Sequence, residues 1–252
     1  MKDHTASAPR IAVPVPHSGD REYAERALPQ YLDAVREAGG EPVRIELDLT
    51  PSEVMKQIED CDGILLPGSR ADVDPQKYGE ARHEKTAPAD AKRDRVDRVL
   101  LQDAYDLHKP VLGICYGLQS LNVYRAGTLV QHIESAINHS AGREVANAHS
   151  VDVVPGSKLA GILGASTGGG RRLPVNSSHH QSADSVGDGL RVIAHSVEDG
   201  VVEAVEGTAP GHFVLAVQWH PERSVHDEPQ LAEPARAIFR AFIEAARERK
   251  RA

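Results

Sequence analysis

A glycine-flanked cysteine is the first residue whose type and setting could do nucleophilic chemistry. Cys115 lies in the stretch PVLGICYGLQSLNV, with Gly113 two residues before it and Gly117 two residues after it. An apolar run leads into the cysteine and a helix-like pattern leads out, which predicts a tight turn from a strand into a helix. Such a turn places its central residue at the carboxyl edge of a sheet, beside the free N–H groups of the helix.

The predicted helix N-terminus has two chemical consequences for Cys115. Its partial positive charge favours a thiolate over a thiol. Its N–H groups can also stabilise a developing oxyanion. A low-pKa thiolate paired with a protonated histidine would give a bell-shaped pH dependence. Considered alone, the turn leaves open the alternative that Cys115 is a small buried apolar residue.

A second segment, AVQWHPER, offers a base and a group to orient it. His220 follows an apolar run, and Glu222 lies two residues later. In an extended backbone, residues two apart project to the same side. Glu222 can therefore bond one imidazole nitrogen of His220 and leave the other for Cys115. The alternative is a strand end that carries ordinary surface residues.

Alternating strand and helix patterns predict the elements that position these residues. Strands are expected over 10–16, 41–47, 63–69 and 111–115, and helices over 23–40, 51–59 and 90–110, with Pro29 interrupting the first helix or marking its first turn. This alternation predicts an α/β fold with a mostly parallel central sheet covered by helices on both faces. Further strands, some antiparallel, are expected over 150–157, 190–197, 201–207 and 213–220, with a mobile loop over 164–172 and a closing helix over 233–250.

Length and composition limit the classes of protein. The 252 residues contain no convincing linker, so we expect one domain over 1–252. The net charge of −8 argues against a nucleic-acid partner. No apolar run approaches the roughly 18–20 residues that span a bilayer, and the N-terminal stretch lacks the apolar core of a signal peptide. We therefore expect a cytoplasmic protein with no membrane partner, in which the second cysteine, Cys61, is structural.

Thirteen histidines raise the question of a metal site. The candidates are His139, His149 and the adjacent pair His179 and His180. No His-x-x-x-His spacing or clustered acid pattern accompanies them, and adjacent residues of an extended segment face opposite ways. The sequence therefore predicts no metal and no other cofactor.

Two motifs together resemble the class I glutamine amidotransferases. GICYGLQ and QWHPE are similar to the signature of that superfamily, which carries a Cys–His–Glu triad. LLPGSRADVDPQKYGE, KRDRVDRVLLQDA and VNSSHHQ further resemble its stand-alone peptidase C26 branch, which contains the γ-glutamyl-γ-aminobutyrate hydrolases. These segments recur in order from residue 10 to about residue 245. The resemblance implies the flavodoxin-like fold of the class I glutamine amidotransferases.

The resemblance also implies roles for individual residues. Cys115 matches the nucleophile, His220 the general base and acid, and Glu222 the residue that orients the base. The PGS segment matches the oxyanion loop, so that a backbone N–H of Gly68 or Ser69 would join that of Tyr116. The residues that match the substrate pocket are Gln119, Asn176, Ser177 and His179.

Two enzyme classes remain open at this stage. The first is a stand-alone hydrolase that cleaves a small γ-glutamyl amide through a cysteine acyl-enzyme and releases glutamate and an amine. The second is a glutaminase subunit that donates ammonia to a separate synthase. A noncatalytic binding protein on the same scaffold is disfavoured because the triad residues are all present. The sequence leaves the leaving amine undetermined and leaves open whether the chain forms a homodimer.

Overall fold

A nine-stranded sheet forms the centre of the protein. The computed structural model describes residues 7–164 and 171–251. The strands are β1 (Arg10–Pro14), β2 (Glu41–Ile45), β3 (Gly63–Leu66), β4 (Val111–Ile114), β5 (Leu129–Val130), β6 (His149–Val153), β7 (Arg171–Val175), β8 (Ser182–Ala183), β9 (Leu190–Ser196), β10 (Val202–Gly207) and β11 (Val214–Val217). The helices are α1 (Arg21–Glu37), α2 (Pro51–Ile58), α3 (Ala91–Asp106), α4 (Tyr116–Tyr124), α5 (Lys158–Ile162), α6 (Pro221–Ser224) and α7 (Pro229–Arg251), with a 3-10 turn over Pro75–Tyr78.

The sheet has a parallel half and an antiparallel half. Its strand order is β2-β1-β3-β4-β11-β10-β9-β6-β7, and β5 pairs separately with β8. The first five strands of this order run parallel to one another. The remaining neighbours pair antiparallel. The predicted α/β class, with a mostly parallel sheet and antiparallel strands in the C-terminal half, is confirmed.

The predicted helices begin and end near the expected positions, with two differences at prolines, whereas the short helices α5 and α6 were not predicted. Helix α1 begins at Arg21, where the Asp20 side chain accepts a hydrogen bond from the Tyr23 N–H, and it runs through Pro29. The prediction that Pro29 interrupts or opens the helix was wrong, since the cap at Asp20 sets the start and the packed helix tolerates the lost backbone bond. The closing helix contains Pro234 and begins four residues before the predicted start at 233.

Most of the predicted mobile loop over 164–172 falls on residues 165–170, which lie outside the described residues. Its last two residues, Arg171 and Arg172, belong to β7. The expectation of a single domain over 1–252 stays a prediction. In the described ranges, no helix combines the length and the apolar character needed to cross a membrane.

A buried arginine ties the loops that carry the site to helix α3. Arg93 is fully buried and forms an ion pair with Asp97, one turn later, at 2.6 Å. Its other guanidinium nitrogens donate to the carbonyl oxygens of Pro16, after β1, and Pro67, after β3. Because the charge is paired and every nitrogen has an acceptor, Arg93 can be buried at this depth. It thereby fixes the two loops at the carboxyl edge of the sheet.

Candidate active site

Cys115 occupies the predicted turn between β4 and α4. Its backbone has φ 53° and ψ −105°, in the left-handed region that residues other than glycine rarely adopt. A Cβ atom added at Gly117 would lie 2.2 Å from the Leu66 carbonyl oxygen. A Cβ atom added at Gly113 would lie 2.9 Å from the carbonyl oxygen of Gly117. The two glycines are therefore required by the close approach of α4 to β3 and β4.

His220 and Glu222 are paired as expected, but by a different local geometry. The Nδ1 atom of His220 lies 2.8 Å from Oε1 of Glu222, and both side chains are buried. His220 precedes α6, and Glu222 lies in the first turn of that helix rather than on an extended strand. The expectation of an extended backbone was therefore wrong, because Pro221 begins a helical turn directly after the histidine.

The cysteine and the histidine converge on the loop after β3. Strands β3, β4 and β11 are adjacent and parallel, so their carboxyl ends meet at one edge of the sheet. A Cβ atom added at Gly68 would lie 2.8 Å from Cε1 of His220 and 3.5 Å from the Cβ atom of Cys115. Only a glycine lets this backbone pass so close to both side chains.

The predicted oxyanion donors differ in their availability. The Gly68 N–H donates to the Tyr31 hydroxyl at 3.1 Å. Within 7–164 and 171–251, the Ser69 N–H has no acceptor. Tyr116 is the first residue of α4, and its hydroxyl donates to Asp94 at 2.7 Å. Ser69 and Tyr116 are therefore the candidate donors, and Tyr116 contributes its backbone only.

Tyr31 is a site residue that the sequence did not indicate. It lies in the middle of α1, is 1% exposed, and its hydroxyl is 3.4 Å from Nδ1 of His220. The same hydroxyl accepts the Gly68 N–H, so it links the histidine to the loop after β3. A lone tyrosine on a helix, 189 positions from the histidine, carries no sequence signal for this contact.

Burial determines the charge state of the candidate catalytic pair. It raises the pKa of the Cys115 thiol to about 12, with the nearby Arg223 opposing the shift. Burial also lowers the pKa of His220, and the positive charge of Arg223 acts in the same direction. The expected low-pKa thiolate was therefore wrong, since desolvation outweighs the helix N-terminus. The resting pair is a neutral thiol and a neutral imidazole.

All four residues expected in the substrate pocket are buried and contact other protein groups. The Gln119 amide nitrogen lies 3.2 Å from the Gln181 carbonyl oxygen. Asn176 bonds both backbone groups of His220, accepting from its N–H at 3.0 Å and donating to its carbonyl at 2.8 Å. The Ser177 hydroxyl donates to the His139 carbonyl oxygen at 2.7 Å. Asn176 therefore positions the candidate base, and substrate contacts by these residues stay a prediction.

His179, the fourth of these residues, belongs to a buried cluster. His139, His149, His179 and Glu203 present ligand-capable atoms that lie within 4.8 Å of one another. His180 faces away from this cluster, with Nε2 at 3.0 Å from Asp72, as expected for adjacent residues of an extended segment. Sequence reasoning missed Glu203, and no spacing pattern could have grouped these four residues, because they come from four separate segments.

An arginine-rich cavity of about 230 Å³ opens beside His220. Four arginines line it: Arg26, Arg70, Arg143 and Arg223. Glu222 is the only acidic side chain among the described lining residues, and it is bonded to His220. Each of these arginines has a carboxylate within 4.0 Å, but the partners of Arg26 and Arg143, Glu22 and Glu144, are almost fully exposed. The guanidinium groups of Arg26 and Arg143 can therefore exchange these partners for an anionic group that enters the cavity.

Comparisons with known proteins identify the family of this chain. The Peptidase C26 family model matches residues 12–222. Gamma-glutamyl-gamma-aminobutyrate hydrolase PuuD of Escherichia coli K12 is 35% identical over 227 residues, which cover 86% of this chain and 84% of PuuD. Rv2859c of Mycobacterium tuberculosis, whose name assigns it provisionally to the glutamine amidotransferases, is 38% identical over 221 residues. These cover 86% of this chain and 66% of Rv2859c, so the chain spans slightly less than two thirds of that relative.

Solved structures show the same fold at lower identity. A protein of Thermoplasma acidophilum, described provisionally as one subunit of GMP synthase, matches with a TM-score of 0.64 and 17% identity, over 97% of this chain and 96% of its own. The fold is thus that of the class I glutamine amidotransferases. With the family match over most of its length, the chain belongs to the peptidase C26 family of hydrolases, which act on C–N amide bonds.

Proposed function

We propose that this protein hydrolyses the γ-glutamyl amide bond of a small molecule through a Cys115 acyl-enzyme, releasing glutamate and an amine. The main support for this proposal is the geometry of the site. Cys115 and His220 both lie next to Gly68, and Glu222 is bonded to Nδ1 of the imidazole. The similarity to PuuD, which is named a gamma-glutamyl-gamma-aminobutyrate hydrolase, supports the γ-glutamyl substrate.

Acylation begins from the neutral pair. His220 takes the thiol proton through Nε2 as the sulfur attacks the γ-carbonyl carbon, while Glu222 stabilises the imidazolium that forms. The N–H groups of Ser69 and Tyr116 hold the tetrahedral oxyanion, and one such donor is worth about 3–4 kcal/mol in comparable sites. His220 then protonates the leaving amine, so that the C–N bond breaks and a thioester to Cys115 remains.

Deacylation uses the same residues in reverse. Water enters after the amine has left, and His220 removes its proton as the oxygen attacks the thioester carbonyl. Collapse of the second tetrahedral intermediate breaks the C–S bond, and the proton returns to the sulfur. The products are glutamate and a neutral Cys115 thiol, which is the starting state.

The arginine-rich cavity supports a leaving amine that carries a carboxylate. Arg143 has one described carboxylate partner, the exposed Glu144 at 3.8 Å, so its guanidinium is available to an anionic ligand. A carboxylate at the far end of the amine, as in γ-aminobutyrate, would be paired there with a guanidinium. An uncharged or cationic leaving amine would gain no binding energy from these arginines.

Steady-state kinetics on the isolated protein test both parts of the proposal. The substrates are γ-glutamyl-γ-aminobutyrate, γ-glutamylbutylamine, which has the same chain without the carboxylate, and glutamine. We expect hydrolysis without a partner protein and a kcat/KM about 10-fold or more higher for the carboxylate-bearing amide. Arg143→Ala should raise KM for that substrate, and Arg36→Ala, on the exposed face of α1, should not. Activity that requires an added synthase would favour the ammonia-donating alternative.

A further inference from the structure

Three histidines surround one carboxylate oxygen in the antiparallel half of the sheet. His139 lies in the loop before β6, His149 begins β6, His179 lies between β7 and β8, and Glu203 lies on β10. All four side chains are at least 94% buried, and Glu203 has no exposed surface. Among the described residues, these imidazoles are the only groups within ion-pair distance of Glu203.

The distances fit a shared cation better than direct hydrogen bonds. Oε1 of Glu203 lies 3.4 Å from Nδ1 of His139, 3.3 Å from Nε2 of His149 and 3.5 Å from Nε2 of His179. A charge-assisted hydrogen bond between such groups is about 2.7–2.9 Å long. Four ligands placed about 2.0–2.1 Å from a tetrahedral zinc ion lie about 3.3 Å from one another. The three separations from Oε1 of Glu203 are close to that edge, and all four ligand atoms lie within 4.8 Å of one another.

In each histidine, the ring nitrogen that points away from Glu203, here called the outward nitrogen, already faces a hydrogen-bond acceptor. Nε2 of His139 lies 2.9 Å from a carboxylate oxygen of Asp199, and Nδ1 of His179 lies 2.9 Å from the carbonyl oxygen of Gln181. Nδ1 of His149 faces the Ser150 carbonyl oxygen at 3.4 Å. Since these oxygens only accept, they favour a proton on the outward nitrogens of His139 and His179, and more weakly on that of His149. This is the support that metal-binding histidines usually have behind them.

The inward atoms are left without a hydrogen-bond donor. In the neutral tautomers, His139, His149 and His179 direct three nitrogen lone pairs at the carboxylate of Glu203. The three inward nitrogens and both Glu203 oxygens have no hydrogen-bond partner among the described residues. Buried acceptors that face one another need a positive charge between them. That charge is either a metal ion or protons added to the imidazoles.

We propose that His139, His149, His179 and Glu203 bind one Zn²⁺ ion in a closed, four-coordinate structural site. Imidazole nitrogens and a carboxylate oxygen are ligands that zinc accepts, and four protein ligands leave no position open for substrate or water. The segments that carry the ligands are far apart in sequence, so the ion joins the loop before β6, the loop after β7 and strand β10.

The proposed zinc site lies next to the two segments that hold His220 in position. Asn176, three residues before His179, holds both backbone groups of His220. On the other side, the Gln218 N–H donates to the Glu203 carbonyl oxygen at 2.7 Å, two residues before His220. The ion would therefore fix both segments from which His220 is positioned. This inference does not depend on the proposed substrate, and its test does not require activity.

The test is the metal content of the purified protein. Protein expressed in zinc-supplemented medium and dialysed against metal-free buffer is analysed by inductively coupled plasma mass spectrometry. We expect about one zinc per chain in the wild type, and less than about a tenth of that in Glu203→Gln and His149→Ala. His180→Ala is the matched control, because that histidine adjoins His179 but faces Asp72. It should keep the full zinc content.

A second measurement uses the wild type alone, in case the ligand variants do not fold. The protein is stripped with a chelator and titrated with Co²⁺, which absorbs strongly in the visible range when its coordination is tetrahedral. One equivalent of cobalt should produce those bands, and zinc should remove them. A wild type that is metal-free as purified, takes up no cobalt and unfolds at the same temperature with and without zinc would overturn the proposal. Hydrogen bonds from protonated imidazoles to Glu203 would then hold the four side chains together.

Discussion

The carboxylate of Glu222 lies 2.8 Å from Nδ1 of His220 and leaves Nε2 as the imidazole nitrogen that can accept the proton of Cys115. This contact fixes both the orientation and the tautomer of the ring, which are the two conditions for a histidine to act as a base.

Glu222→Gln should therefore lower kcat without abolishing it. The glutamine oxygen can still accept from Nδ1, but it no longer stabilises the imidazolium, so we expect kcat to fall by about 10²- to 10⁴-fold. KM should change little, because the Glu222 carboxylate is buried and bonded to His220. Steady-state kinetics check this result, and wild-type rates in the variant at every pH would remove Glu222 from the mechanism.

The two cysteines should differ completely in their importance for turnover. Both are free and buried, but only Cys115 lies at the turn beside Gly68 and His220. Cys115→Ala should abolish measurable hydrolysis while the protein remains folded. Cys61→Ala removes an equally small buried side chain away from the site and should cost about 1 kcal/mol of stability with nearly wild-type kcat. Comparable loss of activity in both variants would contradict the assignment.

The value of kcat/KM should fall at acid pH and should not fall at alkaline pH up to about pH 10. Burial lowers the pKa of His220 below its usual 6.5, so the base becomes neutral and active as pH rises through that lowered value. Burial raises the pKa of the Cys115 thiol to about 12, so the thiol keeps its proton well above neutral pH. We expect kcat/KM to rise with pH and then stay flat from about pH 7 to about pH 10. An alkaline limb at about pH 8–9 would show a thiol with an ordinary pKa.

Gly117 should not tolerate a side chain. The added Cβ atom of Gly117→Ala would lie 2.2 Å from the Leu66 carbonyl oxygen, which is backbone and cannot move freely. We expect a loss of about 3 kcal/mol or more in the free energy of unfolding, measured by urea denaturation. Gly161→Ala is the control, because no described heavy atom lies within 4 Å of its added Cβ. In helix α5 that substitution should be neutral or slightly stabilising.

Local sequence patterns were sufficient for the strands and helices of the parallel half and for naming the candidate triad, but they missed β5, α5, β7, β8 and α6. The turn at Cys115 could be predicted because its glycines and the flanking apolar run act within a few residues. The pairing of His220 with Glu222 could be predicted because the two residues are close in sequence, although the backbone between them is helical rather than extended.

Long-range packing decided what the sequence could not show. The contact of Tyr31 with His220 depends on how α1 lies against the sheet, and no motif marks it. The high pKa of Cys115 arises from burial of the site, whereas the helix N-terminus alone suggested a low one. The His139 and His179 imidazoles meet Glu203 only because three loops and strands fold together.

Covalent trapping identifies the residue that attacks the γ-carbonyl carbon of the substrate. The isolated protein is incubated with a diazoketone analogue of glutamine, which alkylates a nucleophile that binds its γ-glutamyl group. Intact mass and peptide mapping should show one analogue per chain on Cys115, with activity lost in parallel and protection by γ-glutamyl-γ-aminobutyrate. Modification of a different residue, or full activity after Cys115 is labelled, would contradict the account.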